Sequence, residues 1–208
     1  FTLSNDLGMV VKITNYGGIV TSMVVPDKRG KAGDIVCGFD KLDSYFSETY
    51  TGNSPYFGCL VGRYAARVKD GKFSIDGTDY QLHTNDGPNH LHGGVKAFDK
   101  RVWAAEVLEG SEDVGLKLFL KSPDGDGGYP GNVEVTVTYR LNKNNELSIE
   151  YFAVTDKATP LSLTNHTYFN LNAFEGKIID HNASIASNKI LVPDSSNVPI
   201  GEEQMVAG

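Results

Sequence analysis

The sequence predicts an all-β protein, an antiparallel β-sandwich or barrel. Apolar residues recur at every second position through much of the chain, which is the pattern of strands with one buried face. Gly accounts for 23 of the 208 residues, above the usual share of about 7%, and suits a turn-rich β protein. No window of a dozen residues has the 3.6-residue period of an amphipathic helix. Many short strands separated by turns are therefore expected.

Seven single strands are predicted from the apolar runs. In chain order they are Val10–Thr14, Ile19–Val25, Asp34–Phe39, Val102–Leu108, Leu116–Leu120, His181–Ala186 and Lys189–Val192. One helical turn is predicted, at Leu42–Phe46. The Gly-rich stretch Pro123–Gly131 lies between strands, so it is predicted to be a long surface loop, and such loops in compact folds often carry function.

Two hairpins are also predicted. Val133–Leu141 alternates apolar and polar residues, the polar turn Asn142–Asn145 follows, and Leu147–Ala153 repeats the alternation. Phe73–Leu82 folds back on itself at Asp76–Gly77, a dipeptide that favours a two-residue hairpin turn.

Composition excludes several classes of function. The net charge of −7 repels phosphate backbones, so nucleic acid is not an expected partner. No apolar run approaches the roughly 18 residues of a membrane span, so no membrane partner is expected. Cys37 and Cys59 are too few for a disulfide scaffold and indicate a reduced, cytoplasmic protein. The length predicts one domain, residues 1–208.

Histidines are the best candidates for chemistry, since imidazole transfers protons near neutral pH. His83, His90 and His92 fall within ten positions in QLHTNDGPNHLHGG. His90 and His92, two apart, would share one side of an extended segment, which is compatible with a metal site that still needs a third ligand. Structural hydrogen bonds in a loop, or a site for a polar ligand, are the alternatives.

His166 lies in LSLTNHTYFNL, where hydrogen-bonding side chains interrupt an apolar segment. Such groups must be satisfied by each other or by a ligand, so His166 is either a structural core histidine or part of a site. Arg63 and Arg67 follow an apolar strand in FGCLVGRYAARV. On local sequence alone, both are interpreted as solvated surface charges.

Six segments of the chain form a further signal when they are considered together. They are Ile13–Gly30, Ser54–Val68, Asn89–Trp103, Ser122–Tyr139, Ala158–Leu171 and Leu191–Glu202. In their residues and in their order along the chain, they resemble the aldose 1-epimerase, or galactose mutarotase, family. The resemblance implies a large antiparallel β-sandwich, the galactose mutarotase-like supersandwich. It also implies interconversion of the α and β anomers of a free aldose, galactose or glucose, by ring opening, without a metal or organic cofactor.

The resemblance also implies site residues. His166 in TNHTYFN matches the family's general acid, and His92 in LHGG matches its second active-site histidine. Arg67 matches a substrate-binding arginine, and Tyr168 lies in a stretch that lines the pocket. Compared with the family, Ala66 replaces the asparagine that usually precedes the arginine. His90 replaces a residue that is usually small and polar, and we expect it to compensate in part for the missing asparagine.

No glutamate in these residues matches the family's general base. The resemblance therefore implies that residues 1–208 are the N-terminal two-thirds of a longer enzyme, with the base Glu and a substrate-binding Asp beyond residue 208, and that the chain alone is nearly inactive. Two alternatives are a non-catalytic carbohydrate-binding module on the same fold and a relative acting on a hexose 6-phosphate. The oligomeric state is left open.

Overall fold

The computed structural model describes residues 1–206. In that range the strands are β1 (Thr2–Ser4), β2 (Val10–Ile13), β3 (Val20–Pro26), β4 (Ala32–Asp34), β5 (Leu60–Val61), β6 (Arg67–Val68), β7 (Lys72–Ile75), β8 (Thr78–Gln81), β9 (His90–Leu91), β10 (Ala104–Glu109), β11 (Asp113–Ser122), β12 (Val133–Asn142), β13 (Leu147–Thr155), β14 (Thr164–Asn165), β15 (Lys189–Pro193) and β16 (Pro199–Met205). The helical segments are α1 (Glu48–Asn53) and short 3₁₀ turns at Leu42–Phe46, Lys69–Gly71, Phe98–Lys100, Asp126–Gly128 and Ile178–Asp180. The predicted all-β class is confirmed.

Two four-stranded antiparallel sheets enclose one hydrophobic core. The first has the order β1-β2-β3-β4 and the second the order β10-β11-β12-β13. Buried side chains from both sheets form a single cluster, among them Val11, Ile13, Val20, Leu118 and Val137. Burying an aliphatic side chain of this size stabilises the fold by about 1.5–3 kcal/mol. Period-2 patterning therefore produces the predicted sandwich.

The long hairpin agrees with the sequence prediction over its whole length. β12 and β13 pair in a register that places Val133 opposite Thr155 and Leu141 opposite Leu147. Every second residue of β12 is buried. The hydroxyl of the buried Tyr139 donates to the Gly18 carbonyl at 2.8 Å, which ties this sheet to the turn before β3.

The short hairpin β7–β8 turns at Asp76–Gly77, as predicted. Both turn residues have positive φ, 50° and 76°, as required by the two-residue turn whose twist matches that of the strands. The rings of Phe73 and Tyr80 stack across the two strands with their centroids 5.1 Å apart.

The strand predicted at Asp34–Phe39 is wrong beyond its first residue, since β4 ends at Asp34. The Asp34 carboxylate accepts hydrogen bonds from the amides of Met23 and Val36, at 2.9 and 3.2 Å. A side chain thus replaces the backbone partner that would continue the ladder.

The strand predicted at His181–Ala186 is also wrong. Residues 182–186 are exposed, so no buried face stabilises their alternation. His181 instead caps a neighbouring segment, because its Nε2 accepts a hydrogen bond from the Leu171 amide at 2.9 Å.

The helical turn predicted at Leu42–Phe46 is confirmed as a 3₁₀ turn, but α1 behind it is not predicted. Ser47 caps α1, since its hydroxyl oxygen accepts from the Tyr50 amide at 3.3 Å. Six residues are too few to show a helical period. None of the helices within residues 1–206 is long and apolar enough to cross a membrane.

Candidate active site

Two short strand pairs bring distant parts of the sequence together. β14 pairs with β5, and the ladder continues through the His166 amide, which donates to the Cys59 carbonyl at 2.8 Å. β9 pairs with β6, with Leu91 opposite Arg67. His166 directly follows β14 and His92 directly follows β9. Each histidine therefore lies at the end of a short strand, and the backbone pairing of that strand fixes its position.

Backbone atoms hold His92 in place. Its amide donates to the Ala66 carbonyl at 3.1 Å, and its Nδ1 accepts from the Ala66 amide at 3.0 Å. Gly93 follows with a φ of 89°, and a Cβ there would lie 1.8 Å from the Gly62 carbonyl oxygen. Only glycine permits that approach. Ala66 thus braces His92 through its backbone, although it lacks an amide side chain.

The imidazoles of His92 and His166 contact each other edge to face, and aromatic rings surround them. The ring centroids of His92 and His166 are 5.2 Å apart and nearly perpendicular. Tyr56 contacts both, at 4.8 Å from His92 and 5.7 Å from His166. Tyr168, which is 45% exposed, lies 5.1 Å from His166. We call these four residues the histidine site.

Hydrogen bonding and burial fix the protonation of His92. Because Nδ1 accepts from the Ala66 amide, the proton of the neutral ring is on Nε2. Burial, together with the neighbouring His166 and Arg67, lowers the pKa of His92 to about 4. At neutral pH His92 is therefore an uncharged hydrogen-bond donor through Nε2.

Arg67 borders the histidine site and is paired. Its Nε donates to the Asp86 carboxylate at 2.6 Å, and both side chains are partly exposed. Arg67 is next to Ala66, whose backbone carries His92, and its charge contributes to the lowered pKa of His92. The structure thus places Arg67, His92 and His166 around one location, with Tyr168 at its exposed side.

The surface interpretation of Arg63 is wrong, because Arg63 is 2% exposed. Its guanidinium donates to the Ser122 hydroxyl and to the carbonyls of Ser122, Pro123 and Pro130, at 2.7 to 3.0 Å. The surface loop predicted at Pro123–Gly131 is wrong for its last three residues, since residues 129–131 are buried. Arg63 anchors that loop to the core, so its role is structural.

His90 does not compensate for Ala66 and does not form a metal pair with His92. Its ring is buried, with Nδ1 2.7 Å from the His83 carbonyl and Nε2 2.6 Å from the Tyr129 hydroxyl. The carbonyl can only accept, so the His90 proton is on Nδ1. In the described part of the chain, no group of three His, Cys, Asp or Glu residues is arranged to hold a metal ion. We call Arg63, His90, Ser122 and Tyr129 the interior cluster.

Sequence reasoning missed Tyr56, Asp86 and a second ion pair at Asp99–Lys100. Lys100 Nζ lies 2.7 Å from the Asp99 carboxylate and 5.3 Å from the Tyr56 ring centroid. The available signal was that these residues lie inside or beside the matched segments, but spacing alone did not separate them from structural residues. Two cations, each neutralised by a carboxylate, thus flank rings and hydrogen-bonding groups, an arrangement suited to an uncharged polar ligand.

The whole chain is similar in sequence to proteins of one family. The family model described as "Aldose 1-epimerase" matches residues 1–208. The chain is 42% identical over 210 residues to galactose mutarotase of Bos taurus, covering 100% of this chain and 58% of that protein. It is 35% identical over 207 residues to aldose 1-epimerase of Escherichia coli (strain K12), with the same coverage of 100% and 58%.

The fold is also similar to a solved structure, galactose 1-epimerase from Lactobacillus acidophilus NCFM. The TM-score is 0.87 at 34% identity, and the match covers 100% of this chain and 58% of that one. The chain therefore spans 58% of the length of the relatives that it matches.

Proposed function

The chain belongs to the aldose 1-epimerase family, and we propose that the protein containing it interconverts the α and β anomers of galactose or glucose. The observation that carries the proposal is the pairing of His92 and His166 at 5.2 Å within an aromatic, charge-neutralised site. Ring opening of an aldose requires a proton donor at the ring oxygen and an acceptor for the anomeric hydroxyl proton.

His166 is proposed as the general acid. Its imidazole donates a proton to the ring oxygen as the C1–O bond breaks, and recovers it when the ring closes on either face. Neutral His92 is proposed to donate from Nε2 to a sugar oxygen near the anomeric centre. Its position beside His166 allows the two rings to contact adjacent atoms of one sugar.

Arg67 and Tyr168 are proposed to bind the sugar. The Arg67 guanidinium uses Nε for Asp86, so its remaining N–H groups are donors for hydroxyl groups. The exposed ring of Tyr168 offers an apolar face beside His166, against which the C–H face of a pyranose can pack.

The general base is proposed to be a glutamate outside residues 1–208. Asp86 and Asp99, the carboxylates that border the histidine site, are each paired with a cation. Pairing with Arg67 makes the Asp86 carboxylate a poorer acceptor for a substrate proton. Burial raises the pKa of Asp99, but this carboxylate is only 7% exposed and is held by Lys100, so it is not accessible to a sugar. By this reasoning residues 1–208 alone are expected to be nearly inactive.

A neutral aldose fits this site better than a hexose 6-phosphate. A phosphate calls for uncommitted cations, but Arg63 is fully engaged in the interior, and Arg67 is paired with Asp86. Residues 1–208 are proposed to form one galactose mutarotase-like domain, and the two unpaired cysteines, Cys37 and Cys59, support a cytoplasmic location.

Polarimetry of freshly dissolved α-galactose and α-glucose tests the proposal with the full-length protein. The rate of mutarotation should rise in proportion to protein concentration, with no added metal or organic cofactor. A sugar that binds, as detected by calorimetry, without any acceleration of mutarotation would instead support the non-catalytic binding module. Acceleration confined to glucose 6-phosphate would support the phosphate-specific relative.

A further inference from the structure

Tyr56 is held in a conformation that it would not adopt alone. Its side chain is 8% exposed and its φ is 58°, in the left-handed region that bulky residues avoid. Its ring contacts His92 at 4.8 Å and His166 at 5.7 Å between centroids. Any shift of this ring therefore moves the surface on which both imidazoles rest.

Lys100 is the charged neighbour of this ring. Its Nζ lies 5.3 Å from the Tyr56 ring centroid, within range of a cation–π contact. The same Nζ donates to Asp99 Oδ2 at 2.7 Å. Asp99 is 7% exposed, and within residues 1–206 its Oδ1 has no hydrogen-bond partner. Separating Lys100 from Asp99 would leave a buried carboxylate without its cation, so the pair resists opening.

The backbone beneath this ion pair is also fixed. The Gly17 amide donates to the Arg101 carbonyl at 2.7 Å. A Cβ at Gly17 would lie 2.3 Å from the Asp99 carbonyl oxygen. The turn Phe98–Lys100 therefore packs directly on the backbone that precedes β3, and the position of Lys100 is determined by the sandwich.

A small cavity adjoins Tyr56 on the side of Lys100. It has a volume of about 60 Å³, and its lining includes Tyr16, Tyr50, Cys59, Asp99 and Lys100. The Tyr50 hydroxyl, like Asp99 Oδ1, is buried without a partner in the described range. The cavity leaves one side of Tyr56 without close packing, and Lys100, which also lines the cavity, contacts the Tyr56 ring.

We propose that Tyr56, held by the Lys100–Asp99 pair, is a positioning residue that sets the separation and tilt of the His92 and His166 rings. The kinetic consequence rests on the proposed function, whereas the geometric consequence does not. Misplacement of catalytic groups by about 1 Å can cost on the order of 100-fold in rate. The ring, rather than the hydroxyl, performs this role.

Four variants of the full-length protein test the proposal. Tyr56→Leu removes the ring, and we expect kcat to fall about 10- to 100-fold while KM changes less than about threefold. Tyr56→Phe keeps the ring and should stay within about threefold of the wild-type kcat. Lys100→Met removes the charge and should lower kcat about three- to tenfold, and Lys100→Arg should restore most of the loss.

Lys121 provides a matched control. Its Nζ lies 5.7 Å from the Phe119 ring centroid and 2.7 Å from Glu134, so it makes a ring contact and an ion pair of the same kinds in a more exposed setting away from the histidine site. Lys121→Met should leave kcat unchanged. A Lys100→Met variant that is folded and retains full kcat, or a Tyr56→Phe variant as impaired as Tyr56→Leu, overturns the proposal.

Imidazole NMR signals separate this proposal from the proposed function. In the wild-type protein the ring resonances of His92 and His166 are assigned by single substitutions. We expect Lys100→Met to shift both sets and Lys121→Met to shift neither. If the protein proves inactive on sugars but these shifts occur, the positioning role stands and the proposed activity fails. If both sets stay in place in Lys100→Met, the positioning role is wrong whatever the activity.

Discussion

The interior cluster and the histidine site, with Arg67 at its border, share two segments of sequence. One segment contains Arg63 and Arg67, which are four positions apart, and the other contains His90 and His92, which are two positions apart. In the interior cluster, Arg63 donates hydrogen bonds to one hydroxyl and three carbonyl groups of the chain. At the border of the histidine site, Arg67 donates to Asp86 through Nε and keeps its other N–H groups for a ligand. The same residue types thus serve folding in one place and binding in the other.

The two histidines also carry opposite tautomers. His90 has its proton on Nδ1, facing the His83 carbonyl, and accepts from Tyr129 through Nε2. His92 accepts from the Ala66 amide through Nδ1 and has its proton on Nε2. In His90 both ring nitrogens are used inside the protein, whereas in His92 the partner of Nε2 is left to the ligand. The interior cluster and the histidine site therefore differ in which polar atoms already have a hydrogen-bond partner within the protein. Substitutions in each region can test this difference.

Substitution of His166 should impair catalysis more than any other change considered for the two regions. His166→Asn in the full-length protein keeps a hydrogen-bond donor but cannot transfer a proton at neutral pH. We expect kcat for mutarotation to fall by about 10²- to 10⁴-fold, with sugar affinity within roughly tenfold of wild type. Polarimetry measures the rate, and calorimetry measures the affinity. His83→Asn, at an exposed position outside both clusters, is the control. A His166→Asn enzyme with near wild-type kcat would transfer the role of acid to another residue, with His92 first to be examined.

The next effect is on stability, at Arg63. Arg63→Met leaves the Ser122 hydroxyl and the carbonyls of Ser122, Pro123 and Pro130 without their donor, and all of these groups except the Pro123 carbonyl are buried. We expect the free energy of unfolding to fall by about 3–5 kcal/mol. Arg67→Met is the matched substitution beside the histidine site, and its loss of stability should stay within about 1 kcal/mol because the Asp86 pair is partly exposed. Urea unfolding of both variants decides the comparison, and similar losses for the two would erase the distinction between the clusters.

These contrasts show where sequence reasoning succeeds. The alternation in Val133–Leu141 is a local property that a buried face enforces, so strand and register follow from it. The burial of Arg63 is not local, since its partners are about 60 positions away. No pattern around Arg63 distinguishes it from Arg67. The site roles of His92 and Arg67 are predicted from the resemblance to a family. Tyr56 and Lys100 are not predicted as site residues, because their contacts form only when the chain is folded.

His92 should link stability to pH. Its pKa is about 4 in the folded protein and about 6.5 in an unfolded chain. Between these values the unfolded chain binds the additional proton, so the free energy of unfolding falls as pH drops from 6.5 toward 4. The slope from this one group is at most about 1.4 kcal/mol per pH unit. Urea titrations at pH 6.5 and 4.5 should show a smaller decrease for His92→Gln than for wild type. Equal decreases would mean that His92 gains a proton in the fold without cost.

The weakest change that we expect concerns one hydrogen bond of the interior cluster. Tyr129→Phe removes the hydroxyl that donates to His90 Nε2 at 2.6 Å and leaves that nitrogen buried without a donor. The free energy of unfolding should fall by about 1–2 kcal/mol. Because Tyr129 belongs to the interior cluster, kcat should stay within about twofold of wild type. If kcat falls tenfold or more while stability is unchanged, the hydroxyl acts on the histidine site through His90, and the two clusters form one functional unit.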